Sequence, residues 1–313
     1  MKKTLLLGFL LAAIFAAAFS ASADAPKRPK ILGVAHIALF VHDIEKSRAF
    51  YKDFLGYGEP FKLDNPDGSL SLTFLKINER QYIELFPEKA PNTDRLNHIS
   101  VETDDADGMR LYLGANGVKV PATTPKGRVR NLNFTPKDPD GHGVEIVEYT
   151  PDGLTRVNTG KFMDGPRIST RMMHVGITVG TLDKAMSFYG GLLGFQEIWR
   201  GSKTGKVLDW VNSRVPDGDD YVEFMLYSQP PSLSQLGTMN HICLEVADMD
   251  KALADLEARP ARKNYTRPLE IKTGTNRKRQ LNLFDPDGTR IELMEAKTVD
   301  GVPAPSSTAP PPR

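Results

Sequence analysis

The chain repeats one unit four times, and each repeat carries one histidine and one glutamate at matching places. A histidine on a short alternating apolar run is followed about fifty residues later by a glutamate on another such run, a period typical of one supersecondary unit. The pairs are His36/Glu84, His98/Glu145, His174/Glu223 and His241/Glu292. Only six histidines occur in 313 residues, so four at equivalent positions stand apart from histidines scattered over a surface. Two histidines with two carboxylates are a common shell for a first-row divalent metal.

The repeats divide the chain into segments at roughly 31–89, 95–150, 171–228 and 238–297. The first opens with the alternating run from Val34 to Val41. It passes Asp43, a candidate helix N-cap, into Ile44, Ser47, Tyr51, Phe54 and Leu55 at helical spacing. Strand-like stretches follow and end at Tyr82-Ile83-Glu84-Leu85-Phe86, so the unit reads β-α-β-β-β. The third segment repeats it: Phe188-Tyr189 follows His174 as Phe50-Tyr51 follows His36, and Leu193-Gly194-Phe195 stands where Leu55-Gly56-Tyr57 stood. The second and fourth form another class, starting Asn97-His98-Ile99 and Asn240-His241-Ile242 and reaching Asp-Pro-Asp-Gly (138–141, 285–288) before the last strand. The order is therefore ABAB. Residues 151–170, polar and rich in Gly and Pro, form the expected linker between a first domain at 31–150 and a second at 171–297.

Strand parity decides where the repeated residues point. In Val175-Gly176-Ile177-Thr178-Val179 the odd-numbered apolar positions would pack on the module's helix, leaving His174, Gly176 and Thr178 on the other face. Ile242, Leu244 and Val246 do the same against His241, Cys243 and Glu245. Apolar residues also flank each glutamate: Ile83 and Leu85, Val144 and Ile146, Val222 and Phe224, Ile291 and Leu293. Every repeated His and Glu thus faces away from the helices, and two facing modules bring two pairs together in a cleft.

The ends read differently. Lys2 and Lys3 precede an apolar run from Leu5 to Phe19, and Ala21-Ser22-Ala23 has the small-x-small pattern of a cleavage site. Residues 1–23 are therefore expected to be a signal peptide and the mature protein secreted or periplasmic, with no stable membrane insertion after cleavage. Cys243, the single cysteine, excludes an internal disulfide and is expected to be a buried structural thiol. Residues 298–313, rich in Pro, Ser and Ala without periodicity, read as a disordered tail. With 40 basic and 39 acidic residues interspersed, there is no basic stripe for nucleic acid. The partner class that remains is a small molecule, bound by a monomer or homodimer.

The β-α-β-β-β modules, the openings Val34-Ala35-His36-Ile37-Ala38-Leu39 and Asn97-His98-Ile99-Ser100-Val101, the Phe-Tyr helices, the Asp-Pro-Asp-Gly turns and the ending Arg290-Ile291-Glu292-Leu293-Met294-Glu295 resemble the vicinal oxygen chelate superfamily. That group includes glyoxalase I, bleomycin and fosfomycin resistance proteins, methylmalonyl-CoA epimerase and extradiol dioxygenases. The resemblance implies an α+β fold of four modules forming two domains with half-open mixed sheets. It also implies a divalent metal held by the first and last strands of paired modules. Carried over by position, it nominates His36, Glu84, His98 and Glu145 in one half and His174, Glu223, His241 and Glu292 in the other. One or two ions of Mn, Fe, Co, Ni or Zn would be bound per chain. The modules could pair first with second and third with fourth, or first with fourth and second with third; the ligand types are the same either way.

By the same resemblance, a ligand glutamate can move a proton next to a polarised carbonyl, a role that falls by position to Glu145 or Glu292. The chain has Asn282 and Thr135 where extradiol dioxygenases carry a tyrosine before the Asp-Pro turn. The expected activity is therefore a glyoxalase-like lyase or isomerase, with a dioxygenase or a non-catalytic resistance-type binding protein as alternatives. His142 is a candidate proton carrier at the site's edge, and His42 a surface or capping residue. Arg128, Arg130, Arg277, Lys278 and Arg279 are candidate anion holders before the turns, and Tyr82, Tyr149, Tyr221 and Tyr227 share the glutamates' parity.

Overall fold

The computed structural model of the chain describes residues 25–313; the expected signal peptide lies outside the described residues. Two curled mixed sheets account for the chain, and both arise from alternation of the kind just described. The first comprises β1 (Ile31–Val41), β2 (Gly58–Asp64), β3 (Leu70–Lys76), β4 (Tyr82–Pro87), β5 (Leu96–Thr103), β6 (Leu132–Phe134) and β7 (Gly143–Glu148), in the order β2-β3-β4-β1-β5-β7-β6. The second comprises β8 (Met172–Val179), β9 (Gln196–Gly201), β10 (Trp210–Arg214), β11 (Tyr221–Leu226), β12 (His241–Val246), β13 (Ile271–Thr273), β14 (Lys278–Phe284) and β15 (Arg290–Thr298), in the order β13-β14-β15-β12-β8-β11-β10-β9. Modules therefore pair first with second and third with fourth. The second module is shorter than a full β-α-β-β-β unit, because the counterpart of β13 is reduced to a single bridge between Lys126 and Leu132.

In each sheet the two opening strands run antiparallel at the centre, β1 against β5 and β8 against β12, and each lies parallel to its own module's last strand. The helices cover one face. Asp43, Asp105 and Asp248 cap helices Ile44–Ala49, Ala106–Ala115 and Met249–Glu257 by accepting backbone N–H bonds, as acidic N-caps do. Ile37, Leu39, Ile83, Ile99, Val144, Val175, Ile177, Val222, Ile242 and Ile291 are all fully buried in one continuous apolar core spanning both halves.

The Phe-Tyr segments and the Asp-Pro-Asp-Gly turns join the halves reciprocally. Helix Ile44–Ala49 widens into a π-helical turn at Phe50–Phe54, and a second such turn spans Met186–Leu192. From these turns the Tyr51 hydroxyl donates to Asp285 Oδ2 and the Tyr189 hydroxyl to Asp138 Oδ2, each at 3.0 Å and each across the domain boundary. The other oxygen of each aspartate closes its own turn: Asp138 Oδ1 accepts from the amides of Asp140 and His142, and Asp285 Oδ1 from those of Asp287 and Thr289. Gly141 (φ 93°) and Gly288 (φ 87°) supply the left-handed backbone the turns require.

Two expectations change here, and one gains detail. The linker at 151–170 is held to the first half: the buried Lys76 ammonium donates to the carbonyls of Asn158 and Lys161, and the Ile168 amide bonds to the Leu55 carbonyl. The tail beyond Thr298, expected to be disordered, lies against β9 and β10. The Pro310 carbonyl accepts from the Leu208 amide, the Pro305 carbonyl from Trp199 Nε1, and the Ser307 amide donates to the Arg200 carbonyl. A proline-rich chain lacks donors but keeps its carbonyls, and the Leu208 amide between β9 and β10 and the Trp199 indole offer matching donors. His142 sits at the seam between halves, with Nδ1 2.9 Å from Asp138 and Nε2 3.1 Å from Thr178, so it serves neither cleft as a proton carrier.

Two predictions follow from this seam. Tyr51→Phe and Tyr189→Phe leave a buried carboxylate short of one donor and should each lower the unfolding free energy by roughly 1–3 kcal/mol; unchanged urea midpoints would refute the reciprocal lock. Burial alone would lower the His142 pKa, but its hydrogen bond to Asp138 and the charges of Asp138 and Asp140 outweigh this and raise it. A raised folded-state pKa gives stability that is full below the free-histidine value of about 6.5 and lost as pH rises through the folded value. Thermal midpoints measured from about pH 6 to pH 8 should thus fall more steeply for the wild type than for His142→Gln.

Candidate functional site

Register carries the repeated residues onto two adjacent rows of each sheet. In the first half one row reads Tyr82, His36, Ser100, Glu145 and the next Glu84, Ala38, His98, Gly143. The second half has Tyr221, His174, Cys243, Glu292 in one row, with Glu223, Gly176, His241 in the other. Because all these side chains share one pleat face, opposite the helices, the rows converge on a point.

The convergence is close. His36 Nε2 lies 3.0 Å from His98 Nε2, 3.3 Å from Glu84 Oε1 and 3.4 Å from Glu145 Oε1, while His98 Nε2 lies 3.9 Å from Glu84 Oε2 and 3.7 Å from Glu145 Oε2. In the second half His174 Nε2 lies 3.0 Å from His241 Nε2, 3.8 Å from Glu223 Oε2 and 3.5 Å from Glu292 Oε2, and His241 Nε2 is 3.4 and 3.7 Å from the same two carboxylates. Donors bonded to one cation at about 2.1 Å lie about 3.0 Å apart at right angles and about 4.2 Å apart when opposite. All of these His–His and His–Glu separations fall within that range, and the compact groups His36, Glu84, His98 and His174, Glu223, His241 could each hold a divalent cation.

Charge supports the same fit. Burial, reinforced by the neighbouring His98, holds the His36 pKa well below its ordinary value, and burial with Lys137 lowers His98 to about 4. Burial, with Glu145 beside it, pushes Glu84 well up; Glu145 itself is pushed up by burial to about 7 against the opposing hydrogen bonds of Asn133 and Ser100. Glu223 is pushed up by burial and by Glu292 to about 8. Buried carboxylates need a compensating charge, and neutral imidazoles beside them cannot provide one; a cation at the centre can.

The two sites differ in their surroundings. All four residues of the first line an open cleft of about 190 Å³, walled by Leu63, Leu72, Phe74, Phe86 and Val129, with Tyr82 and Tyr149 on its floor and Arg128 at its rim. Glu145 is oriented by Ser100 Oγ at 3.3 Å and Asn133 Nδ2 at 3.0 Å. In the second site both histidines are fully buried, and Tyr221 lies over His174 with ring centroids 4.5 Å apart. A cavity of about 490 Å³ outside it is lined by Asn212, Tyr221 and Lys278 and closed on one side by Gly301, Pro303 and Ala304 of the tail. Arg290 reaches within 2.9 Å of His241 Nδ1, which also lies 2.8 Å from the Met239 carbonyl. The carbonyl requires a proton on Nδ1 and the guanidinium requires a lone pair; a ligand on Nε2 would favour the first arrangement.

Of the other candidates, Arg128 and Lys278 reach cavities. Arg277 pairs with Asp300, Arg279 with Asp250, and Arg130 occupies an exposed left-handed turn residue (φ 66°). Tyr227 lies at the inter-half seam, raised by burial and by Asp140 and Asp138, and faces neither cleft. His42 is exposed and pairs with Glu88, as a surface residue. Sequence reasoning missed Asn133, Asn212, Asn282 and Arg290, whose roles depend on register across strands.

Relatives accord with this architecture. The chain is 33% identical over 129 residues to the uncharacterized protein YaeR of Escherichia coli (strain K12), spanning 37% of this chain and 95% of that one. It is 30% identical over 132 residues to the lactoylglutathione lyase of Haemophilus influenzae, spanning 39% and 97%. Among solved structures, homoprotocatechuate 2,3-dioxygenase from Brevibacterium fuscum superposes with TM-score 0.66 at 18% identity, covering 92% of this chain and 77% of the other. The Mn(II)-bound glyoxalase from Novosphingobium aromaticivorans gives 0.64 at 17% identity, covering 90% and 88%. At such identities the structures establish the fold alone. The family model for the Glyoxalase/Bleomycin resistance protein/Dioxygenase superfamily matches residues 33–146 and again 171–293, and the chain belongs to that superfamily, with one such unit in each half.

Proposed function

We propose that the protein is a divalent-metal-dependent, glyoxalase-like lyase or isomerase acting on a small substrate with adjacent oxygens, and that its catalytic centre is the cleft of the first half. The observation that carries the reading is that His36, Glu84, His98 and Glu145 all line one open cavity. A volume of about 190 Å³ suits a compact substrate or the reacting end of a larger one. The similarity to a lactoylglutathione lyase supports the reaction class, and the N-terminal sequence supports an exported location.

His36, His98, Glu84 and Glu145 would hold Mn²⁺, Fe²⁺, Co²⁺, Ni²⁺ or Zn²⁺, which when bound supplies a Lewis acid for the substrate's neighbouring oxygens. Glu145, kept in orientation by Ser100 and Asn133, takes the proton from the carbon beside the carbonyl and returns it to the adjacent carbon. One C–H bond breaks and one forms through Glu145, while the hydroxyl proton passes from one of the two adjacent oxygens to the other as hydroxyl and carbonyl exchange places. Leu63, Leu72, Phe74, Phe86 and Val129 give the cleft an apolar wall for the substrate's carbon skeleton, and Arg128 can hold an anionic group at the rim.

Elemental mass spectrometry on the mature protein should find divalent metal, and in D₂O small 2-oxo aldehydes or their thiol adducts should exchange the proton beside the carbonyl. Glu145→Gln should cut that exchange by roughly 10²–10⁴-fold. No metal in any preparation after incubation with Mn²⁺, Ni²⁺, Zn²⁺ or anaerobic Fe²⁺ would discard the enzyme and leave a small-molecule-binding protein.

A further inference from the structure

The second half is not a copy of the first at the level of donors. Where the first has Ser100 beside Glu145, the second has Cys243 beside Glu292, in the same register on the same pleat face. The ligand atoms of His174, Cys243 and Glu292 all lie within 4.8 Å of one another, and all three residues are buried. His174, Glu223 and His241 form an overlapping group of the same compactness. We propose that the second half is a closed structural metal site in which the Cys243 sulfur joins His174, His241 and Glu292 as a ligand, with the Glu223 carboxylate beside them, selecting a thiophilic cation such as Zn²⁺.

Two observations besides the cysteine point to an occupant. Asn212, which faces Glu223 across β10 and β11, is 6% exposed, and its Oδ1 has no hydrogen-bond partner. Asn282 faces Glu292 across β14 and β15 with its Oδ1 likewise unpartnered. Buried amide oxygens without donors are costly and are normally found where something else completes the arrangement.

The charge count also differs between the halves. Two carboxylates and a divalent cation sum to zero, which suits the first cleft. A thiolate added to two carboxylates leaves the second site one negative charge in excess. There the guanidinium of Arg290 stands at His241, and Lys278 acts on Glu292. The position of Arg290 corresponds to Gly143 in the first half, where no cation intervenes at that place. The neighbours that would repel a cation in a two-carboxylate site thus offset the extra anion of a three-anion one.

Closure completes the argument for a structural role. Both second-site histidines are fully buried, and Tyr221 covers His174. Gly176 leaves no room there: a Cβ at that residue would lie 2.0 Å from the His241 ring. A catalytic centre needs an open position for substrate, whereas a structural one is filled by protein ligands.

The test uses the full mature chain with the first centre disabled by His36→Ala and His98→Ala, compared with the same chain also carrying Cys243→Ser, which restores the first half's own residue. Loaded with Co²⁺ as probe, the former should show a sulfur-to-cobalt charge-transfer band in the near ultraviolet and one metal per chain, and Cys243→Ser should abolish the band. With Zn²⁺ bound, Cys243 should resist thiol reagents after mild unfolding that exposes it in the metal-free protein. Co²⁺ bound without the band would overturn sulfur ligation. No metal in the first-site variant, with circular dichroism showing a folded chain, would overturn the second site while leaving the first untouched. Retention of metal by wild type but loss of proton exchange would count against the first-half reading alone.

Discussion

Everything in this molecule depends on placing two imidazoles and two carboxylates on the inner face of a sheet whose outer face is largely apolar. Strand alternation makes this cheap in sequence terms, because Ile83 and Leu85 can bury in the core while Glu84 between them points the other way. It is costly in electrostatic terms, because burial acts against the charged form of each group it encloses. The raised carboxylates and lowered histidines of both halves express that cost directly. A cation at the convergence point would turn the most unfavourable part of each sheet into its best-compensated part.

The pairing of modules creates that point, since neither histidine–glutamate pair closes on a site alone. β1 and β5 meet antiparallel with Ala38 opposite His98 and Ser100 opposite His36, so the two pairs interlock rather than stack. The cross-boundary bonds of Tyr51 and Tyr189 act one level higher. Each aspartate spends one oxygen on its own turn and one on the other half, so the turn preceding a ligand strand is positioned by the opposite domain. The sites are therefore built locally and oriented globally.

This division explains what could be read from sequence. The direction of each His and Glu follows from a two-residue period, which any few residues reveal, and the repeat shows which residues share a role. Module pairing was open because it rests on contacts between β1 and β5, far apart in the chain, that leave no local pattern. The aspartates of the Asp-Pro-Asp-Gly turns were legible as turn residues, but their second partners lie on another module's helix. Composition misled at the tail: Pro, Ser and Ala without periodicity suit a disordered segment, yet their carbonyls found donors at the Trp199 indole on β9 and at the Leu208 amide beyond it. Parity put Cys243 on the inner face, and only register showed which carboxylate it meets.

The differences between halves concentrate within one row of the ligands. Ala38 becomes Gly176, Ser100 becomes Cys243, and the place of Gly143 passes to Arg290, while all eight repeated donors stay. A duplicated unit that had simply lost its function would be expected to lose donors first, since a buried carboxylate with no task is a liability that a methyl or amide would relieve. Here the donors persist and the space around them closes. The first cleft keeps small neighbours, an apolar wall and access from solvent; the second gains a thiol and two cations. That pattern fits two centres of one origin that have parted in use, one kept open and the other sealed into the fold.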